Sequence, residues 1–481
     1  MKNIMSISSE AIKNCFLRNV RKQLTGNSLK TVKQLSKSLK SFKSELFVAY
    51  LGKDWYEFAV LFLSAIEAKC PFVIIPPDER ILPYVGKQCR NLLIVKSISW
   101  KKANTTVQVQ KGVYVLPIQT LIQGQFPQWP FQIRTKIPEK VSCILYTSGT
   151  TNDPVGVMVD ADSFVINAQD LSRNLSFQKC DIVAVCAPCF TSYGISLGLI
   201  LPLTIGKPIL TFDFEHPRLM LEQLCKVKNV VLVANPIVYK AMLHYPLLLK
   251  KISSRILFGF SSGDILSIVL KRKFSHYYGI TLLDSYGTTE TNGIAICNST
   301  SNMIMNPLHS LELKLMGKDS KEVCMNGEGQ LWVKGMKNMK GYFGNDNLTR
   351  KRMVDGWINT GDWAKIQDDG SIILMGREAT MVRVNGMRVH AEMVENAIEN
   401  IRGVREAIVF GVKDSLHGNI LRANIVLEKN IMLSNSEIKR SLCCMLPRYM
   451  IPRKISFVSS ITSNNGKKLR KQNNLSTNGG I

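Results

Sequence analysis

The chain has 481 residues, enough for two or more domains with a sizeable core, and its 45% hydrophobic and 20% charged composition excludes a disordered or fibrous protein. A formal net charge of +26 sets it apart, with lysines gathered at Lys22–Lys43, Lys334–Lys351 and Lys467–Lys471. Such a surface attracts polyanions in general, from nucleotides to acidic proteins, nucleic acid or an anionic membrane, and a plain solvated lysine-rich surface has the same composition.

In chain order, residues 1–45 read as helical and basic, with apolar positions at Ile12, Phe16 and Val20. They suit a surface helix or one lying on a membrane. Apolar runs then predict strands at Leu46–Leu51, Phe72–Pro76, Leu92–Lys96, Val113–Leu116 and Cys143–Tyr146. Helical spacing marks Phe58–Lys69 and Ser163–Leu175. Ile182–Gly206 carries no charge, but its prolines and glycines break it into a strand, a loop, a short buried helix and a second strand rather than a membrane span. Strands follow at Val230–Ala234, Ile256–Ser261 and Ile280–Ser285, with helices at Ile237–Leu243 and from Ser262-Gly263-Asp264 onward. This alternation implies an α/β protein with largely parallel sheets. The tail after Arg470 reads as disordered.

Twelve cysteines are scattered through the chain. Cys186-Ala-Pro-Cys189 has zinc-like spacing without a second pair to complete four ligands, and Cys443-Cys444 suit a buried helix. With no apolar run near Met1 to act as a leader, reduced cytoplasmic usage is expected.

Four stretches carry chemistry. Ser142–Tyr146 is an apolar strand that runs into Thr147-Ser148-Gly149-Thr150-Thr151-Asn152-Asp153-Pro154-Val155-Gly156, too polar and small for a core. Such a run folds as a tight loop whose N–H groups and hydroxyls cradle an anion. Ser285-Tyr286-Gly287-Thr288-Thr289-Glu290 again follows a strand and sets hydroxyls beside one carboxylate, a hard ligand of the kind Mg²⁺ takes. Thr360-Gly361-Asp362 precedes the hairpin turn Asp368-Asp369-Gly370, with Gly376-Arg377 beyond. Asn464-Asn465-Gly466-Lys467-Lys468 closes the series.

The order Tyr-Thr-Ser-Gly-Thr-Thr, then Tyr-Gly-x-Thr-Glu, Thr-Gly-Asp, Gly-Arg and Gly-Lys resembles the adenylate-forming superfamily: acyl- and aryl-CoA synthetases, luciferases and peptide-synthetase adenylation domains. The resemblance spans about residues 45–471 and includes Gly327–Val333 with Gly341-Tyr342-Phe343, a structural hairpin region, as well as Arg383-Val384-Asn385-Gly386, Glu395 and Leu446–Pro452. It implies a large N-terminal α/β domain of mixed parallel sheets (1–376) and a small mobile α+β lid (377–481). It implies that Thr147, Ser148, Gly149, Thr150 and Thr151 hold the phosphates of ATP and that Thr289 touches the α-phosphate. Glu290 would hold Mg²⁺. Backbone around Asp284, Ser285 and Tyr286, with Gly263 and Asp264, would line the adenine, and Gly287 would also bind the nucleotide. Asp362 would hold the ribose, and Arg377 would make a second ribose or phosphate contact. Lys467 would be the catalytic lysine.

Three positions depart from the family pattern. Asn152 stands for a glycine, Val155 for the loop lysine and Thr380 for an aspartate. The reaction implied is attack of a carboxylate on Mg·ATP to give acyl-AMP, then transfer to the thiol of CoA, with ATP, Mg²⁺, CoA and the acid as small-molecule partners. The phosphopantetheine of an acidic carrier protein is an alternative acceptor. A non-enzymatic adenylate- or polyanion-binding descendant is a further alternative. No acid stands in Phe190-Thr191-Ser192-Tyr193-Gly194, where amino-acid-activating relatives place an aspartate, so a fatty or aryl acid is expected. Phe190, Tyr193, Asn235, Phe260 and Thr288 are the candidate pocket residues.

Overall fold

The computed structural model describes residues 26–40, 46–89, 91–97, 107–110, 113–123, 141–147, 154–213, 215–264, 266–297, 304–317, 321–324, 326–384, 387–414, 418–428, 430–461, 463–464 and 467–468. The phosphate loop 148–153, the N-terminal segment 1–25 and the tail from 469 lie outside these residues.

Continuous apolar runs become strands buried on both faces, as parallel strands require. Phe47–Leu51 is fully buried and pairs in parallel with both Phe72–Ile74 and Leu92–Lys96. Phe72–Ile74 pairs in turn with Cys143–Thr147, and the chain then reverses into Val155–Val159, antiparallel to it. The eight-stranded sheet ends on Gly341–Tyr342, a strand from far along the sequence.

A second, 13-stranded sheet starts with the parallel series Ile209–Thr211, Ile182–Cys186, Val230–Ala234, Ile256–Ser261 and Leu282–Thr288. From Asn292–Cys297 onward it is antiparallel and takes in Ile304–Pro307, Ile372–Arg377, Trp357–Ile366, Glu328–Gly335 and Leu311–Met316.

The main core joins the two sheets through the helices Trp55–Ala68 and Ala161–Asn174. Phe62 meets Phe72 at 5.4 Å and Phe164 at 6.5 Å, edge to face, the arrangement aromatic rings prefer. Asp54 caps the first helix by accepting from the Glu57 N–H at 2.8 Å.

The C-terminal part packs helices Ala391–Glu399 and Asn435–Cys443 on the three-stranded sheet Val404–Asp414, Gly418–Leu427 and Lys454–Phe457. It touches the rest of the chain through Trp363 and His390 (ring centroids 6.0 Å apart) and a 2.6 Å ion pair between Lys273 and Glu428.

Most elements fall where local patterning puts them, with four differences. Gly341–Tyr342 does not form a hairpin with Glu328–Gly335 but edges the other sheet. The helix expected from Ser262 starts at Ile268, capped by Ser267, because Gly263 (φ +91°) takes a turn. The short buried helix after Ile182–Cys186 is a π-helix over Gly194–Ile200 before it turns α-helical. Cys443 and Cys444 are exposed, since their helix buries only Ile438 and Leu442. Every cysteine among the described residues is a free thiol. No described group of His, Cys, Asp or Glu side chains is arranged to hold a metal, so Cys186 and Cys189 are packed core residues. Among the described residues, no helix is long and apolar enough to cross a membrane.

Candidate active site

Open α/β sheets bind ligands beyond the carboxyl ends of their parallel strands, where loops converge. Four segments follow or end such strands here, one in the eight-stranded sheet and three in the 13-stranded one. Thr147 ends Cys143–Thr147, Asn235 follows Val230–Ala234, Ser262-Gly263 follows Ile256–Ser261, and Tyr286–Thr288 ends Leu282–Thr288.

Leu282–Thr288 changes role along its length. Its first residues pair in parallel with Gly259–Ser261, and its last residues pair antiparallel with Asn292–Cys297. The register slips between Tyr286 and Gly287. A Cβ on Gly287 would lie 2.1 Å from the Asn292 carbonyl oxygen, so only glycine fits. Asn292 closes the turn at φ +56°, and Thr288 and Thr291 share a 3.0 Å hydroxyl contact inside it. The tip presents Thr289 and Glu290.

Tyr286, Asp362 and Arg377 meet. The Tyr286 hydroxyl donates to Asp362 Oδ2 at 2.6 Å, and Arg377 Nε lies 3.3 Å from Oδ1. Asp362 and Arg377 are direct neighbours across Trp357–Ile366 and Ile372–Arg377. Burial pushes the Asp362 carboxyl up, while the Arg377 guanidinium and the Tyr286 hydroxyl pull it down. Burial and the facing Asp362 push the Tyr286 phenol up. The turn before Asp362 is held by Thr360 Oγ1, which donates to the Leu331 carbonyl and accepts from the Asp362 N–H.

Glu290 is held from a different direction. Its Oε1 accepts from the Tyr342 hydroxyl at 2.9 Å, and its carbonyl accepts from the Met339 N–H at 2.7 Å. The segment that does this is itself anchored. Lys340 N–H donates to Met158 O and Phe343 N–H to Gly156 O, just beyond the phosphate loop. Lys337 is fully buried, with its ammonium 2.9 Å from Asp170 and 3.3 Å from Asn167. Burial lowers the Lys337 pKa, opposed by the Asp170 charge. Asn292 completes the brace by donating to the Lys337 carbonyl at 3.1 Å and accepting from Ser192 at 2.9 Å.

The structure therefore brings Tyr286, Asp362 and Arg377 together, with Gly287, Thr289 and Glu290 on the turn that follows Tyr286. Asp284 and Ser285 lie on the strand below them. Ser285 donates to the Ser261 carbonyl at 3.3 Å, and Asp284 accepts from the Leu266 N–H at 3.3 Å. Gly263 and Asp264 are exposed beside them, and the Tyr193 ring lies against Gly263. Phe260 is fully buried and packs on Phe177 in the core (5.8 Å). Ser148, Gly149, Thr150 and Thr151 fall outside the described residues. Lys467 lies in a short ribbon with Asn464, which follows Ile461; Ile461 packs on Ile408, Phe410 and Val426 of the C-terminal sheet.

Tyr342, Lys337 and Asp170 are support residues of this region that motif reasoning missed. Gly341-Tyr342 had a signal in its family position, but its pairing was misread. Lys337 and Asp170 had none, because a buried charge pair 167 positions apart leaves no local pattern.

A single carboxylate at this point suits Mg²⁺ arriving as part of the nucleotide. Mg²⁺ is commonly held by one or two carboxylates plus substrate phosphates, and Oε2 of Glu290 is not the atom that accepts from Tyr342.

The structure superposes on ATP-bound MatB from Rhodopseudomonas palustris with TM-score 0.79 at 22% identity, covering 93% of this chain and 92% of that one. It superposes on the O-succinylbenzoate coenzyme A synthetase MenE of Bacillus subtilis in complex with AMP with TM-score 0.75 at 20% identity, covering 92% of each chain. In sequence it is 25% identical to a long-chain-fatty-acid–CoA ligase of Bacillus subtilis, over 69% of this chain and 61% of that protein. It is 27% identical to a benzoate–CoA ligase of Thauera aromatica, over 68% of this chain and 64% of that protein. The chain thus aligns with under two thirds of the length of either relative. The AMP-binding enzyme family matches residues 13–343, and the AMP-binding enzyme C-terminal domain matches residues 393–468. The chain belongs to the AMP-binding enzyme family.

Proposed function

We propose that this protein is an AMP-forming acid–CoA ligase for a fatty or aryl acid. The observation that carries the reading is the contact of Tyr286, Asp362 and Arg377 from three separate strands, with Glu290 on the turn that follows Tyr286. In a family of AMP-binding enzymes this set has the groups an adenylate needs. Asp362 with Arg377 offers a charged acceptor and donor for ribose hydroxyls. Tyr286 offers a flat face for the base. Glu290 takes Mg·ATP by its metal, and Thr289 with the loop Thr147–Thr151 takes the phosphates.

In the first half-reaction a carboxylate oxygen of the acid attacks the α-phosphorus. The C–O–P bond forms, the bond to the β-phosphate breaks and pyrophosphate leaves. In the second half-reaction the CoA thiol gives up its proton and its sulfur attacks the acyl carbon; the C–S bond forms, the acyl C–O bond to the phosphate breaks and AMP departs. No protein nucleophile is required. Residues 1–376 form the nucleotide-binding body and 377–481 the lid. Lys467 reaches the α-phosphate when the lid turns and stabilises charge that develops only in the transition state.

Tyr193 supports a compact acid. Its ring lies where a Cβ on Gly263 would meet it at 2.8 Å, and Thr191 and Asn235 face its hydroxyl. A bulky ring packed against this backbone favours an aryl or short acyl chain over a long one. ATP–pyrophosphate exchange across a panel of fatty, aryl and amino acids, with Lys467→Ala alongside, tests the reading. Exchange with an aryl or fatty acid that is lost in the variant is the expected result. The strongest exchange with an amino acid would overturn the substrate class. No exchange with any acid would overturn the activity.

A further inference from the structure

The phosphate loop of this chain lacks a cation. Val155 stands where the family pattern has lysine, and it lies half-buried at the start of Val155–Val159. Across the same site the structure offers a cation that no motif names.

Arg352 ends the helix Asp346–Arg352. Cations in a last helical turn are commonly there only to face the helix dipole. Arg350 and Lys351 fit that role, being exposed. Arg352 is half-buried and turned inward. Its guanidinium rests on the bare Cα of Gly361, where a Cβ would lie 2.9 Å from Nη1 and 3.7 Å from Cζ. Gly361, at φ +77°, immediately precedes Asp362. On its other side Arg352 is close enough to the Tyr342 hydroxyl to act on it electrostatically, against Glu290. Among the described residues no carboxylate forms an ion pair with Arg352. A half-buried guanidinium between two carboxylate-bearing turns, paired with neither, is poised for an anion that arrives from outside.

We propose that Arg352 is the phosphate-binding cation of this site. Its guanidinium takes the β- and γ-phosphates of ATP and stabilises pyrophosphate as the α–β bond breaks, in place of the lysine absent at Val155. The proposal rests on the reading of the Glu290 end as the phosphate end.

Equilibrium binding of ATP and of AMP separates the two ideas, because AMP lacks the phosphates Arg352 is assigned. In Arg352→Gln, ATP affinity is expected to fall about tenfold or more while AMP affinity stays within about twofold. Arg352→Lys keeps the charge but not the fork and should fall between. Adding Val155→Lys to Arg352→Gln should restore most of the lost ATP affinity. Equal loss for AMP and ATP would overturn the proposal, making Arg352 a support of the Gly361–Asp362 turn. Unchanged binding of both would overturn it as well. A wild-type chain that binds neither nucleotide would overturn the reading of the site itself, and with it this assignment.

Discussion

The two ends of the candidate site are built differently. At the end proposed for the nucleoside, Tyr286, Asp362 and Arg377 all stand on strands of one sheet, and the Asp362–Arg377 contact follows from register alone. At the end proposed for the phosphates, Glu290 lies in a turn between two strands of that sheet but is held by Tyr342, on an edge strand of the other sheet. The Tyr342–Glu290 hydrogen bond therefore ties the two sheets together. Its geometry depends on the packing of Lys337 and Asp170 behind it. One end inherits its precision from a ladder of backbone hydrogen bonds, and the other depends on a strap that has to be anchored.

The largest expected effect attacks the anchor. Lys337→Met leaves Asp170 buried without its cation and should cost about 3–5 kcal/mol of stability, read by thermal or denaturant unfolding. Replacing Asp170 by Leu in the same chain should recover a large part of this, because two apolar groups bury more cheaply than one lone charge.

At the nucleoside end the buried acid below Tyr286 sets a pH dependence. Burial pushes Asp284 up to about 7, against the pull of Lys271. The folded chain then holds this proton more tightly than the unfolded one. Its stability contribution is highest in acid, declines as pH rises from about 4 to about 7, and levels off above that. The decline is at most about 4 kcal/mol, and Asp284→Asn should remove that slope from unfolding measured across the window.

Next comes Asp362→Asn, which keeps the shape but removes the charge facing Arg377. AMP affinity should fall by about 1.5–3 kcal/mol, with the fold intact. The smallest effect tests the strap directly. Tyr342→Phe removes one hydroxyl from Glu290 and should reduce pyrophosphate exchange by about 1 kcal/mol, roughly fivefold, while AMP binding is untouched. If Tyr342→Phe proved as costly as Asp362→Asn, or moved AMP affinity equally, the two ends would not be independent.

Much of this protein was legible one segment at a time. The continuous apolar runs at Phe47–Leu51, Val230–Ala234 and Ile256–Ser261 read as buried strands and are buried strands, whereas the caps Asp54, Asn235 and Ser267 came only with the structure. The ordered hydroxyls, glycines and carboxylates from Thr147 to Arg377 named most of the candidate site, because close backbone approach and ribose or metal contact restrict residue types locally. Only the tertiary structure decided that Gly341–Tyr342 joins the sheet of Val155–Val159, that Lys337 meets Asp170, and that Arg352 turns onto Gly361. The reason is physical. Periodicity and caps are properties of neighbouring residues. The choice of edge to pair with, and of which buried charge to neutralise, is made by desolvation and packing between segments far apart in the chain.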